Sequence, residues 1–243
     1  ITKNKKKKLK LAMNIIINGA RSSIGREVAK YLANDRDNQI LATARDELAL
    51  KELENECINE NLSFLKMDLS MLEKEMEIIK DQIYNRFSRV DILINMAGAL
   101  VVKDFMKLTV QEERQMMETN FFGPAGFIRI VVPLMSSGSH IVNISSMGGF
   151  QGSSKYRGLS VYSASKAALS CLSECLANEL SHDGISVNCL ALGSVQTEMF
   201  EAAFPGFRAP VTPSGMAEFI SYFAINGNRF FNGKVLPVAV TNP

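Results

Sequence analysis

The stretch N-I-I-I-N-G-A-R-S-S-I-G, residues 14–25, decides the fold. Its consecutive isoleucines, Ile15 to Ile17, form the unbroken apolar run expected of a strand covered on both faces. Gly19 to Ser23 supply a turn of small residues, and a helical segment runs from about Ile24 to Asn34. A strand passing through a tight turn into a helix aims the free N–H groups of Ser23 to Arg26 at one point. The helix terminus favours negative charge there, as a pyrophosphate would supply. Small residues also make ordinary turns, so the weight falls on the remainder of the chain.

Working outward, the chain alternates β-branched runs with helical periodicity. Strands are predicted at 39–45, 62–68, 90–98, 140–145 and 184–191, with a last one at 233–240 that Pro237 makes short, bulged or peripheral. Between them lie a charged helix over Glu47 to Glu56 and a helix carrying Leu72, Met76, Ile79 and Ile83. Further helical segments span Val110 to Met135 and Tyr162 to Leu180. Such alternation implies βαβ units, hence a single α/β domain of the Rossmann type with a doubly wound, mostly parallel seven-stranded sheet over residues 13–243.

An apolar fraction of 47% against 21% charged excludes a wholly disordered chain. Lys3, Lys5, Lys6, Lys7, Lys8 and Lys10 crowd the start, and taking these six from the net charge of +2 leaves −4. The body is therefore slightly acidic, which argues against nucleic-acid binding over the fold. Met13 stands directly before the first apolar run, so residues 1–12 read as a basic tail, disordered or appended ahead of a natural start. Binding of that tail to anionic lipid or nucleic acid is the less favoured alternative.

Cys57, Cys171, Cys175 and Cys189 are too scattered for a disulfide scaffold, and the two histidines have no second ligand nearby, so no metal is expected. No apolar run approaches a membrane span. A cytoplasmic, reduced protein without a membrane segment is the expectation.

Six blocks now fall in order: N-G-A-R-S-S-I-G at 18–25, D-L at 68–69, N-M-A-G at 95–98, N-I-S-S at 143–146, Y-S-A-S-K at 162–166, and G-x-V-x-T at 193–197. Together they resemble the motif set of the classical short-chain dehydrogenases/reductases. The resemblance implies that Gly19, Arg21, Ser22, Ser23, Ile24 and Gly25 form the cofactor loop. Ser23 replaces the middle glycine of that loop and Asn18 a usual threonine. It further implies that Asp68 and Leu69 meet the adenine, that Asn95, Ala97 and Gly98 floor the cofactor, and that Gly193, Val195 and Thr197 run along the nicotinamide. Read without the family, Asp68 would be a helix cap and 95–98 a turn.

The family's discriminating position after strand two resembles Ala44, followed by Arg45, with Arg21 in the glycine loop. Two guanidinium groups and no carboxylate suit the 2′-phosphate of NADP(H) over NAD(H). Asp46 either turns inward or caps the next helix.

Tyr162 and Lys166 lie four apart, on one helix face. A phenol is a poor acid at neutral pH, and a neighbouring ammonium stabilises its phenolate. The resemblance makes Tyr162 the proton donor to a carbonyl oxygen and Lys166 the ligand of the nicotinamide ribose. Ser146 is then the residue bonding the substrate oxygen, Ser145 a brace, and Asn120 the holder of a relay water.

Two departures stand out: Leu192 replaces a usual proline, and a short insertion at 152–160 lengthens the path from Ser146 to Tyr162 at the substrate entrance. Lys155 or Arg157 there could meet an acidic group, with a solvent-facing role weighed above it. Phe200, Phe204 and Phe207 suggest either a hydrophobic substrate or, equally, a seal against the core or a partner subunit.

The resulting expectation is an NADP(H)-dependent oxidoreductase acting on a carbonyl or secondary alcohol, with a cofactor-binding sensor of little turnover as the alternative. Leu169, Leu172, Leu176 and Leu180 form an apolar stripe, so a homodimer or homotetramer is expected, although core packing accounts for part of the stripe.

Overall fold

The computed structural model describes residues 12–21 and 23–240. Ser22 and all but the last residue of the basic tail lie outside the described residues.

Strands β1 (Asn14–Asn18), β2 (Gln39–Ala44), β3 (Leu62–Lys66), β4 (Ile92–Asn95), β5 (His140–Ser146), β6 (Ser186–Leu192) and β7 (Val235–Val238) form one sheet in the order β3-β2-β1-β4-β5-β6-β7. Every pairing is parallel. The crossovers are α1 (Ser23–Ala33), α2 (Glu47–Glu56), α3 (Leu72–Tyr84), α4 (Val110–Met117), α5 (Gly123–Val131), α6 (Ser160–Glu179), α7 (Glu198–Ala203) and α8 (Pro213–Asn226).

The three isoleucines of β1 show why the run is continuous. Ile15 and Ile17 pack with Val28, Leu32, Ile220 and Phe223 under α1 and α8. Ile16 faces the opposite layer with Ile79, Ile83 and Phe127 under α3 and α5. A strand with both faces covered has no polar side to present.

Two predicted elements have different limits, and one helix was not predicted. The strand expected over 90–98 ends at Asn95, because the loop after it must pass within contact distance of Gly19. The segment 110–135 is two helices joined by a π-helical turn, Glu118–Phe122. Helix α8, with Thr212 as N-cap and Pro213 in its first turn, has no counterpart in the sequence reading.

β7 is an edge strand, which accommodates Pro237. On α6, Leu169 is buried and Leu176 and Leu180 pack against the molecule's own core, so much of the stripe is intramolecular. Among the described residues no helix is long and apolar enough to cross a membrane.

Candidate active site

Strand order reverses between β1 and β4, and the carboxyl ends of strands at such a point open the crevice where doubly wound sheets bind ligands. Gly19 leaves β1 with φ +91°, and a Cβ there would stand 2.4 Å from the Ala97 backbone nitrogen. Its N–H and that of Ala20 both donate to Thr43 O, at 2.8 and 3.1 Å. Gly25 meets this turn from α1, where a Cβ would fall 2.2 Å from Gly19 O. Backbone packing alone thus demands both glycines. Ser23, at the position the family gives to glycine, takes φ +50°, a left-handed conformation costly for a residue with a Cβ.

A ladder of buried side chains ties the strand ends together. Asn18 Nδ2 donates to Asn95 Oδ1 (3.3 Å), Asn95 Nδ2 to Asn143 Oδ1 (2.8 Å), and Asn143 Nδ2 to Ser173 Oγ (2.9 Å). Ser173 Oγ closes the series on Leu169 O at 2.7 Å. These asparagines sit opposite one another in the sheet register, from β1 through β4 to β5. Asn143 and Ser173 were not singled out from the sequence, although an asparagine near the end of each of three apolar runs was the visible signal.

Above the ladder, α6 presents Tyr162 and Lys166. Ser145 Oγ donates to Lys166 O (2.9 Å), bracing the end of β5 against the helix as expected. Lys166 is only 4% exposed, and its Nζ donates to Ile144 O at 3.0 Å. An ammonium has three donors, and among the described residues the other two have no acceptor. Burial pushes this lysine down to about 8.

Tyr162 is partly buried. Burial raises its phenol above the ordinary value, while the Ser146 hydroxyl opposes the rise. The Coulomb assistance expected from Lys166 has no part in this balance. The ammonium instead lies against Ile144 O and beneath Gly98, where a Cβ would stand 3.4 Å from Nζ.

Asn120 lies in the π-helical turn, fully buried. Its Oδ1 accepts from Ala99 N (2.7 Å), and its Nδ2 donates to Ala99 O (2.9 Å) and Ser165 Oγ (2.9 Å). The amide thus fastens the loop after β4 to the foot of α6, beside Lys166.

Asp68 caps the turn after β3, its Oδ1 accepting from Ser70 N (2.9 Å) and Ser70 Oγ (2.8 Å), and Leu69 is buried behind it. Arg21 and Arg45 are both exposed near the end of β2. Gly193 N donates to Val238 O (2.9 Å), and Val195 bridges to Val211. Thr197 Oγ1 accepts from Phe200 N (3.1 Å) as the N-cap of α7, a role the sequence reading did not give it. Lys155 and Arg157 are engaged locally, with Gly148 O and with Asp104.

This arrangement fits a dinucleotide on two observations. Helix α1 has no acidic residue in its first turn, leaving its positive end available to an anion. The unsatisfied donors of Lys166 lie deeper in the same crevice.

Residues 13–206 match the family model described as short chain dehydrogenase. The chain belongs to this family. An uncharacterised oxidoreductase of Staphylococcus saprophyticus is 30% identical over 212 residues, covering 85% of this chain and 88% of the relative. Among solved structures, ElxO with NADP bound is 27% identical with a TM-score of 0.81, covering 94% of this chain and 97% of the other. A short-chain dehydrogenase/reductase of Serratia marcescens superposes with a TM-score of 0.84 at 22% identity over 94% and 96% of the two chains, a likeness of fold. As a short-chain dehydrogenase the protein is an oxidoreductase, and the crevice between α1 and α6 is the place to seek its chemistry.

Proposed function

We propose that this short-chain dehydrogenase transfers a hydride between NADP(H) and a carbonyl or secondary alcohol. Tyr162, Ser146, Lys166 and Asn120 are its catalytic group. The carrying observation is the juxtaposition at the end of β5: a phenol in contact with the Ser146 hydroxyl, one helical turn from a buried ammonium with unspent donors.

The nicotinamide cofactor supplies the hydride when bound. Ser146 Oγ donates to the substrate oxygen and holds it against Tyr162. The phenol releases its proton to that oxygen as negative charge develops there, and recovers it in the reverse direction. Lys166 Nζ offers its two free N–H groups to the cofactor ribose and keeps positive charge beneath the site. Asn120 fixes the loop carrying Gly98 against α6, so that this floor cannot sink onto the ammonium.

In this reading Gly19, Ile24 and Gly25 stand beside the pyrophosphate, with Arg21 and Arg45 near the adenosine ribose. Exposed guanidinium groups there favour a 2′-phosphate, and the NADP bound to ElxO is consistent with that choice. Asp68 Oδ2, outside the capping bond, is the acceptor left for the adenine amine. Ala97 and Gly98 floor the cofactor, and Gly193, Val195 and Thr197 border its nicotinamide end. Assembly as a homo-oligomer belongs to the same reading.

Tyr162→Phe tests it. Hydride transfer followed in a single turnover should slow by at least about 100-fold while NADPH still binds. A near-wild-type rate would remove Tyr162 from this role. Tight NADPH binding by the wild type with no turnover of any carbonyl would instead favour a cofactor sensor.

A further inference from the structure

The segment 152–160, which lengthens the path from Ser146 to Tyr162, is fastened at both ends. Ser153 Oγ lies within hydrogen-bonding reach of Met147 O and Phe150 O (2.9 Å), which share its single proton. Lys155 Nζ donates to Gly148 O (2.8 Å), Phe150 O (2.7 Å) and Ser153 Oγ (2.8 Å), which uses all three of its donors. Arg157 grips Asp104 with two bonds, Nε to Oδ1 at 2.6 Å and Nη2 to Oδ2 at 2.7 Å. Lys103 N donates to Gly158 O at 3.0 Å, joining the segment to the loop after β4.

Between these fastenings stands Tyr156. Its ring meets Phe204 edge-on, with centroids 5.4 Å apart and planes at 78°. Phe204 in turn lies 5.3 Å from Phe200, one turn earlier on α7. Tyr156 therefore spans the gap between the loop after β5 and the helix after β6, which are neighbouring strands. Ser146 closes β5 just before this loop, and Tyr162 lies in the first turn of α6 just after it. On the opposite side, Val102 packs where Gly158 has no side chain.

Taking the hydride-transfer reading as its basis, we propose that Tyr156, Phe204 and Phe200 form the wall that receives the body of the substrate, and that this body is uncharged and apolar, aryl or extended alkyl. Two features carry the choice of class. The contact faces are aromatic, and aromatic edges and faces gain most from apolar partners. Both cations of the segment already have their acceptors, so an anionic substrate would have to break a two-point Arg–carboxylate pair or a three-point lysine contact to be recognised.

The test compares benzylacetone, levulinate and acetone, which present the same methyl ketone on an aryl, an anionic and a minimal body. The wild type should favour benzylacetone over both others in kcat/KM. Tyr156→Ala and Phe204→Ala should each lower kcat/KM for benzylacetone by about 10-fold to 100-fold, chiefly through KM, and leave acetone within about twofold. Tyr156→Phe should behave as wild type, because the ring makes the contact. A preference for levulinate, or variants that affect all three ketones alike, would overturn the proposal.

Binding of benzylacetone in the presence of NADP+, followed by saturation-transfer NMR, gives a second readout independent of turnover. Binding that is lost in Tyr156→Ala without any ketone being reduced would uphold the wall and defeat hydride transfer. Reduction that is indifferent to Tyr156 and Phe204 would do the reverse.

Discussion

Arg21 Nε stands 3.4 Å from Asp46 Oδ2, while Asp46 Oδ1 accepts from Leu48 N and Ala49 N as the N-cap of α2. The Ala49 amide bond is the main reason this carboxyl lies below its ordinary range, with Arg21 adding to the effect. Asp46 thus does both things the sequence left open: it caps the helix, and it faces the cofactor loop through Arg21. A 2′-phosphate must compete with it for that guanidinium, whereas Arg45 is exposed and has no ion pair or hydrogen bond among the described residues.

Arg45→Ala should therefore weaken NADPH by roughly 10-fold to 150-fold, the worth of one charge-assisted contact, and leave NADH nearly unchanged. Asp46→Asn keeps a capping side chain and frees Arg21, so NADPH should bind up to about fivefold more tightly. Dissociation constants for both cofactors at fixed ionic strength decide the matter. Equal losses for NADPH and NADH in Arg45→Ala would show that Arg45 does not read the phosphate. Ala44 is less suited to this experiment, since it is only 8% exposed and a carboxylate there would add a desolvation cost of its own to the comparison.

Ser23→Gly should stabilise the fold. The φ of +50° costs a side-chain-bearing residue about 1 to 2 kcal/mol, and glycine gives back about 0.5 to 1 kcal/mol in unfolded-state entropy. A net gain of several tenths of a kcal/mol, up to about 1 kcal/mol, should appear as a higher urea midpoint at unchanged m. A lower midpoint would mean that the serine side chain stabilises the loop by more than its backbone strain costs.

Lys166 at about 8 gives the reaction a basic limit. Below that value the ammonium is charged and has donors to offer; above it one proton and the charge are gone. Carbonyl reduction measured in single turnover should therefore fall as pH rises through about 8, well before the Tyr162 phenol, raised by burial, ionises. Lys166→Met should bind NADPH more weakly and lose that inflection. An inflection that persists in the variant would have to come from another group.

His140 should make stability depend on pH in mild acid. Its Nδ1 lies 2.9 Å from Ala224 O and its Nε2 3.0 Å from Asn188 Nδ2, a pairing that the neutral ring satisfies as donor and acceptor respectively. Burial pushes this histidine down to about 4 from its ordinary 6.5. The unfolded chain binds the proton more readily, so the stabilisation is complete above about pH 6.5 and is lost as pH falls toward 4. That window is worth roughly 3 kcal/mol. Thermal unfolding of the wild type should drop across it, and His140→Gln should show a shallower slope; parallel slopes would refute the assignment.

The strands were legible because each is an apolar run bounded by turn residues, and the placement of Tyr162 and Lys166 one turn apart on a helix because Y-S-A-S-K has a fixed spacing. Helix α8 escaped because the exposed aromatics Phe219 and Tyr222 blur its apolar face, although Thr212 and Pro213 mark its start. The cap at Asp68 was readable from the residue itself, whereas that at Thr197 depends on where the next element begins, which a residue's own type does not announce. The charges of Lys155 and Arg157 were visible, but their acceptors are backbone carbonyls and a residue 53 positions away.

The amide ladder from Asn18 to Ser173 works as a key for strand alignment. Slipping β4 past β1 by a single residue would set an isoleucine against Asn18 and leave buried amides on both strands without partners, at about 1 to 3 kcal/mol each. Apolar side chains elsewhere in these strands are nearly interchangeable and discriminate poorly between alignments. The glycine turn and the loop to Gly98 leave the sheet just beyond Asn18 and Asn95, and Ser146 ends β5 shortly after Asn143. Their mutual spacing is therefore fixed when the strands pair, before any ligand arrives.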